Sequence, residues 1–234
     1  LLARTDPDAP KHQGLTYFIC DMEVPGVEVR PLRQLTGEAE FNEVFLTDVV
    51  VRDQDRIGPV GAGWKVAVGT LSNERVAFAV EEEPRESGMI ARLLEAWRES
   101  PREEYLEPEL VDLWVEAEAL RLLRNRLIQT RDSHPGPEGS AAKLAAADFQ
   151  QSAAAFWVEL AGDGGLRYSD WTMRRPIYHD PSTRDASYGF LRSRANSIEG
   201  GTSQIMRNII GERVLGLPEE PRVDRGIPWR ELPR

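Results

Sequence analysis

Two carboxylates in this chain stand where a carboxylate could take up a proton. Glu74 lies in Leu71-Ser-Asn-Glu-Arg-Val76, one residue before Arg75, among apolar neighbours. A carboxylate near the core side of a helix is either paired or put to chemical use. Its ordinary alternative is a solvated helix face or a local ion pair with Arg75, which contributes little. Glu199 lies in Asn196-Ser-Ile-Glu-Gly-Gly-Thr-Ser-Gln204. Gly200 and Gly201 permit close backbone approach there, and Thr202 or Ser203 is placed to cap a following helix. Free N–H groups at such a helix start attract an anionic or electron-rich ligand, although a capped glycine turn has many purely structural uses. Gly162-Asp-Gly-Gly165 is a second glycine turn with the same ambiguity. Arg174, Arg175, Arg192 and Arg194 could meet phosphates, though paired surface arginines are usually solvated. The single cysteine, Cys20, excludes an internal disulfide and a Cys-cluster metal site, and His12, His134 and His179 show no ligand spacing.

The elements that must position these residues change character along the chain. Residues 1–57 read as β structure. Leu15–Asp21 is aromatic and β-branched, Val27–Arg30 alternates between Pro-Gly and Pro boundaries, and Phe41–Val51 is a further strand candidate. Past Gly58-Pro-Val-Gly-Ala-Gly63 the pattern turns helical: Trp64, Ala67, Val68, Leu71, Arg75 and Phe78 recur at three and four residues. Pro84 marks a break, and Met89–Trp97 resumes the period. Leu110–Ile128 reads as a long helix with Leu113, Ala117, Leu120, Leu123 and Leu127 on one face. His134-Pro-Gly-Pro137 is a connection. Ala141–Leu160 is an Ala-rich helix with Phe149, Phe156 and Trp157 supplying bulk. Short helices near 186–195 and 203–215 come next, and the Pro-bearing tail 218–234 reads as extended. Strands first and helices after predict an α+β chain: a fragment of an antiparallel β domain over 1–57, an up-and-down helical bundle over 58–217, and the tail.

Composition narrows the function class. Among 234 residues, 29 Lys and Arg face 39 Asp and Glu, a net charge of −10. That balance argues against a nucleic-acid binder, which needs a basic face. With 41% hydrophobic residues the chain has enough for a sizeable core. No apolar run approaches the roughly 20 residues of a membrane span, so the expectation is a soluble, cytoplasmic protein with no membrane partner. Leu1 and the absence of an initiator Met suggest that residues are missing upstream.

Taken together, these stretches resemble the acyl-CoA dehydrogenase family. The run Ile198-Glu-Gly-Gly-Thr-Ser-Gln-Ile-Met-Arg-Asn-Ile-Ile-Gly-Glu-Arg-Val-Leu-Gly-Leu-Pro218 is similar to the C-terminal signature of bacterial members. Phe41–Val51 followed by Arg56-Ile-Gly-Pro-Val-Gly-Ala-Gly-Trp64 is similar to the link from the family's middle β domain into its bundle. Leu160-Ala-Gly-Asp-Gly-Gly165 resembles the turn beside the flavin pyrophosphate. The resemblance covers nearly the whole chain and implies that it begins inside the middle β domain. It further implies an FAD enzyme that converts an acyl-CoA to the 2,3-enoyl-CoA by α-proton removal and β-hydride transfer to the flavin.

In family terms the base occupies one of two slots. The slot at the last helix is Gly200 here, with Glu199 one residue early. The slot in the first bundle helix, a Glu-Arg pair, is matched by Glu74-Arg75. The resemblance therefore implies Glu74 as base with Glu199 in reserve, the Gly200 N–H as donor to the thioester oxygen, and Arg75 beside the substrate. Thr202 and Gln204 would lie against FAD, and Gly162 near its pyrophosphate. It also implies a homodimer or homotetramer and an electron-transferring flavoprotein as acceptor. Two departures stand out. Glu81-Glu-Glu83-Pro84 and Arg85 occupy the neighbourhood where many members carry Arg-x-x-Phe-Gly for FAD adenine. Glu159 replaces the usual Gln before the glycine turn, which sets an acid near a pyrophosphate. These departures motivate a second reading, a non-catalytic or partial-site subunit of a heteromeric acyl-CoA dehydrogenase.

Overall fold

The computed structural model describes residues 1–77, 83–130, 137–168, 170–173, 175, 185–222 and 224–232, with the backbone alone at 72–77 and 130. The chain divides into two compact units: Leu1–Arg30 with Asn42–Phe78 and Glu219–Arg234, and Pro31–Phe41 with Ala79–Pro218. The architecture is α+β, small antiparallel sheets with a helical bundle.

In the first unit, β1 (Leu2–Arg4), β2 (Leu15–Phe18) and β5 (Arg56–Ile57) form one antiparallel sheet in the order β1-β2-β5, with Ala3 opposite Thr16 and Tyr17 opposite Ile57. β3 (Val27–Leu32) and β4 (Phe41–Leu46) pair as a two-stranded ribbon. β1 and β5 are too short for an alternation signal, so periodicity alone did not reveal them. Helix α1 (Gly63–Ala77) packs on β1 and β2. Its first residue is pressed onto the sheet: a Cβ at Gly63 would stand 2.5 Å from the Thr16 carbonyl carbon and 2.7 Å from the Tyr17 nitrogen. Thr16 is wholly buried, and its hydroxyl is satisfied by Thr5 Oγ1 at 2.6 Å and the Gly61 N–H at 3.1 Å. Gly63→Ala is therefore expected to cost about 1–3 kcal/mol by overpacking against backbone that has little freedom to yield. Gly69→Ala, which would meet nothing within 4 Å in the same helix, is expected to be neutral or to stabilise by up to about 1 kcal/mol. Urea denaturation of the two variants reads the contrast.

The tail carries little regular structure beyond a 3-10 turn at Trp229–Glu231, but it is anchored to the first unit. The N–H groups of Trp229 and Arg230 donate to the Ala9 and Pro7 carbonyls, Arg4 stacks over the Trp229 ring, and Arg230 pairs with Asp8. Lys11 reaches Asp224 at 2.8 Å, and hydrogen bonds from Lys11 and Arg222 hold the Asp224 carboxyl well below the usual carboxylate range.

The second unit is built on α2 (Gly88–Glu99), α3 (Glu107–Thr130) and α4 (Gly139–Leu160), followed by α5 (Ala186–Ser193) and α6 (Ser203–Ile209). Ile90 and Leu93 from α2, Leu110, Leu113 and Leu120 from α3, and Phe149, Ala153 and Phe156 from α4 form one buried core with Leu106. The face read from Leu113 and Leu120 is the buried face of α3. Alanines 142, 147, 153 and 154 of α4 are buried and let neighbouring helices approach closely. The last helix departs from expectation. α6 ends at Ile209 and continues as a π turn over Ile210–Val214, closed by Gly216 at φ +67°. The expected connection at His134 falls outside the described residues, as do residues 176–184.

Pro31–Phe41, which takes in the end of β3, the loop after it and the first residue of β4, groups with the helical unit. Thr36, Glu38 and Ala39 are buried. The Tyr188 hydroxyl donates to Glu38 Oε2 at 2.8 Å, the Tyr168 hydroxyl donates to the Thr36 carbonyl at 2.6 Å, and Arg33 donates to the Trp171 carbonyl. A buried carboxylate is tolerated only with such partners.

Candidate functional site

The sequence-predicted site residues lie on three elements. Glu74 and Arg75 sit in the last turns of α1, eleven and twelve residues on from the glycine pinned to the sheet; their side chains lie outside the described residues. Gly162 begins the 3-10 turn Gly162–Gly164 after α4. Glu199, Gly200, Thr202 and Gln204 share one turn at the start of α6. The first group belongs to the first unit and the other two to the second.

The α6 turn is built by two consecutive residues of positive φ, Gly200 at +64° and Gly201 at +103°. Only glycine adopts this pair without strain. Thr202 is the N-cap: its side-chain oxygen accepts from the Ile205 N–H at 3.2 Å. Gln204 is exposed. Glu199 is held on both oxygens by Arg192, at 3.1 and 3.2 Å, and Arg192 also meets Glu40 at 3.2 Å. Burial presses against the charged form of Arg192, but hydrogen bonds and charge from Glu199, with Glu40 beside it, hold its pKa above the ordinary value. Arg192 is thus already partnered, as is Arg194, which donates to the Phe190 and Gln151 carbonyls. Neither is a spare phosphate ligand of the kind the sequence allowed. Sequence reasoning also passed over Lys143 of α4, whose ammonium donates to the Asn196 and Gly201 carbonyls. The signal was present: Lys143 is the one charge in Ser140-Ala-Ala-Lys-Leu-Ala-Ala-Ala147.

The glycine turn after α4 separates two roles. A Cβ at Gly165 would stand 2.4 Å from the Val158 carbonyl oxygen, so Gly165 folds the turn under its own helix. Cβ atoms at Gly162, at φ +54°, and at Gly164 would meet nothing within 4 Å. Those two residues present bare backbone with open space before it, which fits close approach by a large group such as a dinucleotide. Exposed Glu159 and Asp163 flank the turn, and exposed Arg167, whose N–H donates to the Gly164 carbonyl, follows it. Among the described residues no group of His, Cys, Asp or Glu is arranged to hold a metal ion, and no helix is long and apolar enough to cross a membrane.

Comparison with known proteins agrees with this layout. Residues 61–215 match the family model described as acyl-CoA dehydrogenase, C-terminal domain. The chain is 39% identical over 222 residues to the acyl-CoA dehydrogenase FadE34 of Mycobacterium tuberculosis, covering 93% of this chain and 28% of the relative. It is 34% identical over 225 residues to the acyl-CoA dehydrogenase IpdE1 of Mycolicibacterium smegmatis, covering 94% and 53%. Among solved structures, the ChsE4-ChsE5 complex of Mycobacterium tuberculosis superposes with a TM-score of 0.73 at 22% identity, over 94% of this chain and 57% of that one. The chain therefore spans about half, or less, of the length of these relatives. With a matching domain that runs from the glycine link through the α6 turn, the chain belongs to the acyl-CoA dehydrogenase family.

Proposed function

We propose that the protein carrying this chain oxidises an acyl-CoA thioester to the 2,3-enoyl-CoA, with Glu74 as the base that removes the α-proton. The observation that carries this reading is the family match over residues 61–215, which takes in both the Glu-Arg pair of α1 and the glycine turn of α6. Bound FAD would supply the electron sink for the β-hydride. The chain's own residues do the rest. The Glu74 carboxylate takes the proton from the carbon beside the thioester, and Arg75 borders that pocket. The Gly200 N–H donates to the thioester oxygen as negative charge grows there, a contribution on the order of 3 kcal/mol for a positioned donor. Thr202, Gln204 and the bare face of Gly162 would hold FAD. Glu199 is the poorer base, because both its oxygens already accept from Arg192. An electron-transferring flavoprotein is the acceptor in this reading, and the assembly is a homodimer or homotetramer.

The test is made on the full-length protein. It is expected to purify with a flavin band near 450 nm that bleaches when acyl-CoA is added without oxygen. Peroxide release in air would instead mark an acyl-CoA oxidase. A protein that stays colourless after FAD is added would favour a second reading, a partial-site subunit of a heteromeric dehydrogenase. The acidic run Glu81–Glu83 and the two-protein ChsE4-ChsE5 neighbour are what speak for it.

A further inference from the structure

Lys143 of α4 closes the segment that carries the α6 turn. Its Nζ donates to the Asn196 carbonyl at 2.9 Å and to the Gly201 carbonyl at 2.5 Å. These two carbonyls bracket Ser197–Gly200, so one cation ties both ends of the segment to the same helix. The stem of Lys143 runs beneath Gly200, where a Cβ would stand 3.8 Å from Lys143 Cε. The segment needs such an anchor. Gly200 and Gly201 are consecutive, both at positive φ, and have more accessible backbone states than any other pair. The Ile198 and Glu199 N–H groups donate to the Ala195 carbonyl at 2.8 and 2.9 Å and Arg192 holds the Glu199 side chain, so the segment is tied as far as Glu199; the Thr202 cap fixes only the helical turn on its C-terminal side, which leaves the two glycines between them to Lys143. Asn196 also lies in the 3-10 turn Arg194–Ser197, near the end whose carbonyls carry partial negative charge and favour a cation. Two charge-assisted bonds are stronger than the neutral bonds water would offer in exchange.

We infer that Lys143 is a positioning residue: by holding the Asn196 and Gly201 carbonyls it fixes the direction of the Gly200 N–H toward the thioester oxygen. The inference rests on the reading of Gly200 as that donor. Removing the ammonium leaves the donor in place but lets the two glycines relax. The ground-state complex then forms much as before, while the developing charge on the oxygen loses its aligned partner.

The experiment compares full-length wild type with Lys143→Met, which keeps the stem and removes the charge. The probe is an arylacryloyl-CoA, whose absorption moves to longer wavelength when its thioester carbonyl is polarised. Wild type is expected to shift the probe. Lys143→Met is expected to bind it with a Kd within about threefold of wild type and to lose more than half of the shift. Its kcat for acyl-CoA oxidation is expected to fall about 10- to 100-fold with little change in KM. Lys143→Arg, which keeps a cation and two donors, is expected to recover part of the shift. Should Lys143→Met fail to fold, the spectrum is read in Lys143→Gln, whose shorter amide cannot span both carbonyls. A folded Met or Gln variant with the full wild-type shift overturns the inference. A wild-type protein that oxidises acyl-CoA but never shifts the probe removes Gly200 as donor, and the inference with it. Failure of acyl-CoA oxidation in wild type removes the functional reading first.

Discussion

Glu74→Gln in the full-length protein is expected to lower kcat for acyl-CoA oxidation by about 10³- to 10⁴-fold, with FAD content unchanged. The amide is nearly isosteric with the carboxylate but has no useful basicity at neutral pH, and a positioned base contributes about 10²- to 10⁴-fold. FAD is expected to be retained, because the substitution keeps the side chain's size and Glu74 is not among the residues assigned to the flavin, Gly162, Thr202 and Gln204. Stopped-flow bleaching of the flavin by saturating acyl-CoA measures the step directly. The companion variant is Glu199→Gln. It keeps the carbon framework beside Arg192 and removes only charge from a group whose oxygens are both occupied. Its expected loss is below about tenfold, a matter of loop order rather than proton transfer. If Glu199→Gln were the dead variant and Glu74→Gln the live one, the base would have to be moved to the α6 turn.

The second large effect is on stability. Phe156→Ala is expected to cost about 3–5 kcal/mol. Phe156 is fully buried, on the face of α4 that meets α2 and α3, and sits in the same cluster as the fully buried Leu93. Removing the ring opens a cavity among neighbours already locked by their own packing, so little collapse can refill it. α4 supplies both Lys143 at its start and the Gly162 turn at its end, so loosening it affects both. Guanidinium denaturation of the flavin-free protein reads the shift in midpoint at unchanged slope. A cost under about 1 kcal/mol would mean that this core is not the structure's main support.

Much of this was legible in the residues. Periodic apolar spacing gave the bundle helices, because a helix that must bury one stripe repeats it every three to four residues. The glycine turns were legible because a positive φ or a close backbone approach leaves few other choices. Gly200 and Gly201 had to be glycine to turn into α6, and Gly165 had to be glycine to tuck beneath Val158. The α+β class came from the change of texture at Gly58–Gly63.

What the chain order could not reveal is which side chains meet across distance. Nothing in the residues around Glu38 marks it as buried; it is buried where Tyr188, 150 residues later, supplies a hydroxyl. Pro31–Phe41 thus joins the bundle, although its two ends belong to the strands β3 and β4. The tail reads as extended, with nothing local to say what it touches. Its hold comes from Lys11, Asp8 and Arg4, more than 200 positions upstream, where a few short-range polar contacts substitute for a hydrophobic stripe. Arg192 reads as a candidate phosphate ligand until Glu40 and Glu199 are seen on either side of it. Local propensity is written in every few residues, so sequence alone determined the main bundle helices, the glycine turns and the family. Partner choice for a charge depends on desolvation and geometry set by the whole fold, so only tertiary structure decided what each ionic group holds in place.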